Sequence, residues 1–253
     1  MERITSRKNR IIVHLRQLGR DAACRRESGE FICDGEKLLE EALAAHMQIG
    51  TVLWKENGSA VRETEASAQF LAPEELFDYV SPMINSPGPL FTVSFPKKPE
   101  QFAPSSALVL ENVQDPGNVG TVIRTANAFG IDAVVLAGAC ADPYHPKTVR
   151  ATMGAVFRQQ ILCLDHTEEL KDLMKSWKLP LYGAVLSERA RSVLDCELAE
   201  SAVAVGSEGK GLSTELRALC DGEIIIPMHP DSESLNAAVA ASVLMWEMKG
   251  RRQ

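Results

Sequence analysis

From residue 108 to residue 248 the sequence alternates short aliphatic and β-branched runs with longer amphipathic stretches, an order that few folds accommodate. The apolar runs at 108–111, 133–136, 160–164, 181–185, 202–205 and 223–226 read as strands. The stretches at 118–129, 146–153, 168–176, 214–219 and 235–248 read as helices. A βαβα order predicts an α/β fold with a parallel sheet covered by helices on both faces. Ligands of such sheets bind beyond the carboxyl ends of the strands, so the loops that follow strands are where chemistry is expected. A smaller α/β pattern precedes this one. Helices are expected at 9–19, 35–45 and 73–80, and strands at 31–33, 48–54, 69–71 and 90–95. Between the two lies 96–105, in which Pro96, Pro99 and Pro104 fall among charged residues and read as a linker. The expected domains are therefore residues 1–95, a linker 96–105, and residues 106–253.

Several function classes are excluded or disfavoured. No apolar run reaches the roughly 18 residues of a membrane span, and no signal-peptide pattern follows the basic start, so a cytoplasmic protein with no membrane partner is expected. Six cysteines lack any C-x-x-C pairing and read as reduced core thiols; five histidines show no ligand spacing, so no metal is expected. The net charge of −7 argues against a nucleic-acid partner, but its distribution argues for one. Residues 1–26 hold eight basic and two acidic side chains, whereas the remainder holds 19 and 32. Such asymmetry marks the N-terminal segment as a candidate surface for an anionic partner.

Three loops carry the distinctive residues. The first runs from Asn112 through Asp115-Pro116-Gly117-Asn118 into a helix bearing Arg124. Val119, Val122, Ile123, Ala126 and Phe129 form its apolar stripe, and Arg124 lies roughly 150° from the stripe's centre on a face of small residues. A lone guanidinium there leaves room for a substrate, or pairs with a surface carboxylate. The second, Gly206-Ser207-Glu208-Gly209-Lys210-Gly211-Leu212, follows a buried strand and lets a ligand meet bare backbone. It is no phosphate loop, because Gly211 stands where the hydroxyl after the lysine belongs. The third joins Ile226-Pro227-Met228 to Ser234-Leu235-Asn236 and an alanine-rich helix. Ser234 is its expected N-cap, and Leu235, Val239, Val243 and Trp246 its expected buried stripe. Asparagine just inside a helix, at Asn236, is unexplained by capping.

Together these segments, N-x-x-D-P-x-N-x-G-x-x-x-R-x-A, G-x-E-x-x-G-L and I-P-M followed by S-L-N-x-x-x-A, resemble the three motifs of the SpoU/TrmH branch of the SPOUT family, RNA 2′-O-ribose methyltransferases. Residues 1–95, through FICDGEKLLEEAL at 31–43, resemble the family's L30e-like substrate-binding unit. The segment 142–155 also fits, with Thr152 where many relatives have serine; His229–Glu233 departs from the glycine-rich stretch common there.

The resemblance implies a C-terminal trefoil knot, a homodimer with sites built from both chains, and S-adenosylmethionine held by Val205, Gly206, Ser207, Glu208, Gly209, Ile226, Met228, Ser234, Leu235 and Asn236. It implies catalytic roles for Arg124, Asn118, Glu208, Ser234 and Asn236. Relatives assign Arg124 as the base; a guanidinium pKa above about 12 favours instead a group that fixes a phosphate and stabilises an alkoxide. Structured RNA is the implied substrate, ribosomal before transfer RNA, with phosphate contacts expected from Arg7, Lys8, Arg10, Arg16, Lys147 and Arg150. The competing readings are a tRNA 2′-O-methyltransferase, a non-catalytic RNA-binding protein on the same fold, a SPOUT enzyme methylating a base nitrogen, and a nucleotide hydrolase.

Overall fold

The computed structural model describes residues 1–58, 60–97, 102–229, 231 and 234–249. Part of the expected linker (98–101) and part of the unusual third-loop stretch (230, 232 and 233) lie outside them. In chain order the elements are β1 (Glu2–Arg3), α1 (Arg10–Leu18), α2 (Ala22–Ser28), β2 (Glu30–Asp34), α3 (Glu36–Ala44), β3 (Ile49–Lys55), β4 (Ala68–Ala72), α4 (Glu74–Val80) and β5 (Leu90–Ser94). There follow β6 (Ala107–Glu111), α5 (Pro116–Phe129), β7 (Ala133–Ala137), α6 (Pro146–Thr152), β8 (Gln160–Leu164), α7 (Glu168–Trp177) and β9 (Leu181–Ala184). The last are β10 (Arg191–Ser192), β11 (Ala202–Val205), α8 (Thr214–Leu219), β12 (Gly222–Ile225) and α9 (Ala237–Lys249). Two compact units result, Met1–Lys97 with Tyr144–Arg158, and Lys98–Pro143 with Gln159–Gln253.

The first unit is a five-stranded mixed sheet in the order β1-β4-β3-β5-β2. Helix α1 starts where the Asn9 side chain accepts from Ile11 N at 2.9 Å, and it buries Ile12, Leu15 and Leu18. Helix α2 escapes sequence reading because AACRRES has no apolar period; its ends define it, with Asp21 accepting from Ala23 N and Gly29 left-handed at φ 69°. Arg25, one of the eight basic residues of the N-terminal segment, is buried and donates to Leu18 O at 2.6 Å, so it is part of the core. Sequence order places α6 among the helices of the second unit, but α6 packs on β2. The cause is aromatic: Tyr144 stacks on Phe95 at 4.4 Å and lies 4.9 Å from Phe31.

The second unit is a seven-stranded, wholly parallel sheet in the order β10-β12-β9-β11-β6-β7-β8. Every residue of β6, β7 and β11 is buried, as continuous apolar runs in a doubly covered sheet require. Strands β6, β11, β9 and β12 are consecutive neighbours, which brings the loops after them to one edge. Helix α9 packs against α5. It buries Ala237, Ala238, Ala241, Leu244, Met245 and Met248; Val239 and Trp246 are about half exposed. The expected stripe is thus corrected: the small and flexible side chains are buried, Leu235 and Val243 are half-buried, and Val239 and Trp246 stay about half exposed, the Trp246 ring lying edge-on to Phe129 of α5 at 5.6 Å.

Burial also sets thiol chemistry. Desolvation, then the carboxylates of Asp221, Glu223 and Glu111, push the Cys220 thiol up to about 12, and burial raises Cys33 well above its ordinary value. At pH 8 only about 10⁻⁴ of Cys220 is thiolate. Maleimide labelling at that pH, followed by mass spectrometry, is expected to modify exposed Cys163 well before Cys33 or Cys220. Equal rates would contradict the burial.

Candidate active site

The first loop is built from capping chemistry. Asp115 accepts from Asn118 N at 2.8 Å and, with Pro116 in the first turn, starts α5 two residues earlier than the apolar period indicates. The second loop folds back on itself: Gly211 N donates to Ser207 O at 2.8 Å, and Gly211 is left-handed at φ 67°. Its far end is anchored by Glu111, the last residue of β6 and fully buried. Glu111 accepts from Ser213 N at 2.7 Å and from Ser213 Oγ at 2.6 Å. Ser213 Oγ in turn caps α8 by accepting from Leu216 N. Sequence reading gave Glu111 no role; an acidic residue ending an otherwise apolar strand was the available signal.

Replacing Glu111 by Ala leaves two Ser213 donors without their acceptors inside the protein. A loss of about 2–4 kcal/mol is expected by denaturant unfolding, and Glu111→Gln, which keeps one acceptor oxygen, is expected to lose less. Wild-type stability for Glu111→Ala would remove the anchor from the argument.

The three loops meet on one atom. Glu208 Oε1 accepts from Asn118 Nδ2 at 2.7 Å, from Asn236 Nδ2 in a short hydrogen bond, and from Ala237 N at 3.4 Å. Asn236 Nδ2 also donates to Asn118 Oδ1 at 3.2 Å. On its other side, Asn236 Oδ1 accepts from Ala238 N and Val239 N. Asn236 is therefore the cap of α9, in place of the Ser234 expected from sequence. The same amide caps with its oxygen and reaches the carboxylate with its nitrogen, which is why asparagine stands there. Ser234 is exposed and makes no hydrogen bond among the described residues.

Two cavities share the wall Ser207–Gly211. One, of about 360 Å³, has Ala184–Leu186 at the end of β9, Val205–Leu212, Ile226, Met228, Ser234 and Leu235 in its lining. Nine of the ten residues expected to hold the cofactor line it; Asn236 does not, being turned to Glu208 and Asn118. The other, of about 590 Å³, is bounded by Asn112–Asp115, Asn118, Ser207–Gly211 and Ser213. The wall residues at Ala184–Leu186 were unreadable in sequence, since nothing there announces that β9 lies between β11 and β12. Arg124 lines neither cavity. It is exposed on α5 and has no carboxylate partner among the described residues, so the surface ion pair considered above is absent there. No group of three or more potential metal ligands occurs among the described residues, and no helix there is long and apolar enough to cross a membrane.

The SpoU rRNA methylase family model matches residues 105–246. The chain is 30% identical over 251 residues to the 23S rRNA (guanosine(2553)-2′-O)-methyltransferase RlmP of Bacillus subtilis (strain 168), covering 99% of this chain and 100% of that protein. It is 28% identical over 268 residues to the 23S rRNA (uridine(2479)-2′-O)-methyltransferase of Streptomyces viridochromogenes, covering 99% and 92%. A crystal structure of an RNA 2′-O ribose methyltransferase superposes with a TM-score of 0.78 at 28% identity, covering 97% of each chain. The SpoU methyltransferase AviRb from Streptomyces viridochromogenes, in complex with the cofactor AdoMet, shares the fold with a TM-score of 0.86 at 24% identity, covering 97% and 98%.

Proposed function

The chain belongs to the SpoU rRNA methylase family, and from that membership we propose that it transfers a methyl group from S-adenosylmethionine to a ribose 2′-hydroxyl of structured RNA, ribosomal RNA being the substrate class. The observation that carries this reading is the single Glu208 oxygen that gathers Asn118, Asn236 and Ala237 from the other two motif loops. A fold retained only for binding RNA has no need of that junction.

The 360 Å³ cavity suits a nucleoside-sized ligand in volume and in lining. Backbone at Gly206–Gly211 offers donors and acceptors for a base edge, while Ile226, Met228 and Leu235 supply apolar walls. The bound cofactor supplies the activated methyl group. The chain must position the acceptor hydroxyl, exclude water and stabilise the charge that grows on oxygen. Glu208, held by two asparagines, keeps the wall between the two cavities in place. The 590 Å³ cavity beyond that wall faces the acceptor ribose. Ser234, free of capping duty, borders the donor cavity. Arg124 stabilises the developing alkoxide. Because Arg124 lines neither cavity, a second protomer brings it there, and the half-exposed Val239 and Trp246 of α9 belong to the apolar surface of that homodimer. The unit of Met1–Lys97 with Tyr144–Arg158 acts as the substrate-binding part and the unit of Lys98–Pro143 with Gln159–Gln253 as the catalytic part, in the cytoplasm. Arg7, Lys8, Arg10, Arg16, Lys147 and Arg150 contact phosphates.

The test combines calorimetry and product mapping. S-adenosylmethionine is expected to bind the purified chain, and a methyl group to appear on a ribose oxygen of a 23S ribosomal RNA transcript. Absence of cofactor binding, or a mark confined to a base nitrogen or to transfer RNA, overturns the corresponding part of the reading.

A further inference from the structure

Away from the motif loops, the first unit contains a small cavity of about 240 Å³ bounded by Arg7, Arg16, Gln17, Arg20, Asp21 and Tyr79. Its cations come from the N-terminal arm and the α1 end, and its ring comes from α4, more than sixty residues later. The Arg16 guanidinium lies 3.9 Å from the centre of the Tyr79 ring and the Arg7 guanidinium 4.5 Å from it. Arg16 Nη1 donates to Tyr79 Oη at 2.5 Å. That bond leaves the tyrosine proton free to donate elsewhere. Arg16 Nε is buried and has no hydrogen-bond partner. Arg16 and Arg20 have no carboxylate partner among the described residues. Arg7 meets only exposed Glu75, at 3.8 Å, and Asp21 is engaged in capping α2.

Guanidinium groups that stack on one ring are held in fixed positions, so little side-chain entropy remains to be lost when an anion arrives. Two such groups, the third guanidinium of Arg20 in the lining, an idle hydroxyl proton and an unsatisfied N–H describe a receptor for a tetrahedral oxyanion. The Tyr79 face is already covered by guanidinium, which argues against a stacked base as the ligand. Resting on the RNA-methyltransferase reading above, we propose that this pocket binds one backbone phosphodiester of the substrate RNA and so fixes where the N-terminal unit grips it. The pocket selects two residues that the charge pattern alone does not single out, Arg20 and Tyr79, and it leaves Lys8 and Arg10 outside its lining.

The test uses the full chain and a 23S ribosomal RNA transcript, with affinity read by fluorescence anisotropy over a salt series. The double variant Arg7→Gln/Arg20→Gln preserves the Arg16–Tyr79 pair, and Tyr79→Phe removes only the hydroxyl. The double variant is expected to bind RNA at least tenfold more weakly, with its log affinity against log salt slope shallower by about one to two. Tyr79→Phe is expected to weaken binding severalfold with the slope unchanged. Calorimetry with S-adenosylmethionine serves as the fold control and should match wild type in both. Wild-type RNA affinity and slope in the double variant overturn the pocket while leaving the enzymatic reading intact. A wild-type chain that binds the transcript but transfers no methyl group overturns the enzymatic reading instead. Binding of inorganic phosphate alone, with RNA affinity unaffected by the variants, also rejects the pocket as an RNA site.

Discussion

Arg124→Ala is expected to lower methyl transfer by at least about 10²-fold while leaving S-adenosylmethionine affinity within about twofold of wild type. The magnitude is that of removing one preorganised donor from a developing oxyanion. The selectivity follows from position, since Arg124 lines neither cavity and its loss disturbs no wall of the donor site. Single-turnover transfer and calorimetry on one preparation decide the matter, and near-normal turnover would dismiss Arg124 from the chemistry. A mixing experiment then tests where the guanidinium acts. If it reaches the site of a second protomer, Arg124→Ala and Asn236→Ala chains, each nearly inactive alone, regain activity when co-assembled, because one site of each mixed dimer receives both intact residues. No recovery would place Arg124 in its own chain's site. Arg124→Lys is expected to recover little, since a point charge lacks the planar fork that grips a phosphate or alkoxide in fixed geometry.

Periodicity revealed the parallel sheet because β7 and β11 are apolar at every position and β6 at every position but its last, Glu111, a pattern that exposed antiparallel strands do not show. It could not reveal which strands are neighbours, so Ala184–Leu186 joined the donor cavity unannounced. Nor could it assign α6, whose place is decided by contacts of Tyr144 and Phe157 with Phe31, residues far apart in the chain. The short elements α2 and β10 carried no period to detect. In the site, residue type was informative where a single side chain has an unusual local task. Asn236, out of place by helix propensity, proved to cap α9 while bonding Glu208. Capping read from the wrong hydroxyl misled at Ser234, because two residues of register decide which side chain reaches the first free amides. Trefoil threading, which the resemblance implies, leaves no trace in propensity at all, since it concerns the path of the chain and not its local geometry.

The three glycines of the second loop offer a graded experiment in which one backbone reads out three physical costs. A Cβ on Gly206 would lie 2.1 Å from Gly211 C, 2.2 Å from Gly211 O and 2.4 Å from Leu212 N. All three are backbone atoms, so no rotamer change relieves the overlap, and the Ser207–Gly211 turn must open. Gly206→Ala is therefore expected to cost on the order of 3 kcal/mol or more by denaturant unfolding, and to weaken cofactor binding beyond about 100-fold because the shared wall of both cavities moves. Gly211→Ala meets no atom within 4 Å but must hold φ 67°, a cost of about 1–2 kcal/mol. Gly209→Ala meets nothing and carries no such strain, so its stability should stay within about 0.5 kcal/mol of wild type. Gly209 nonetheless borders both cavities. A methyl group there that spares folding yet weakens S-adenosylmethionine binding identifies the open side of the loop as the face that meets the ligand. If Gly206→Ala instead folds and binds the cofactor as wild type does, the tight closure of Ser207 on Gly211 is no requirement of the site, and the wall between donor and acceptor must be built some other way.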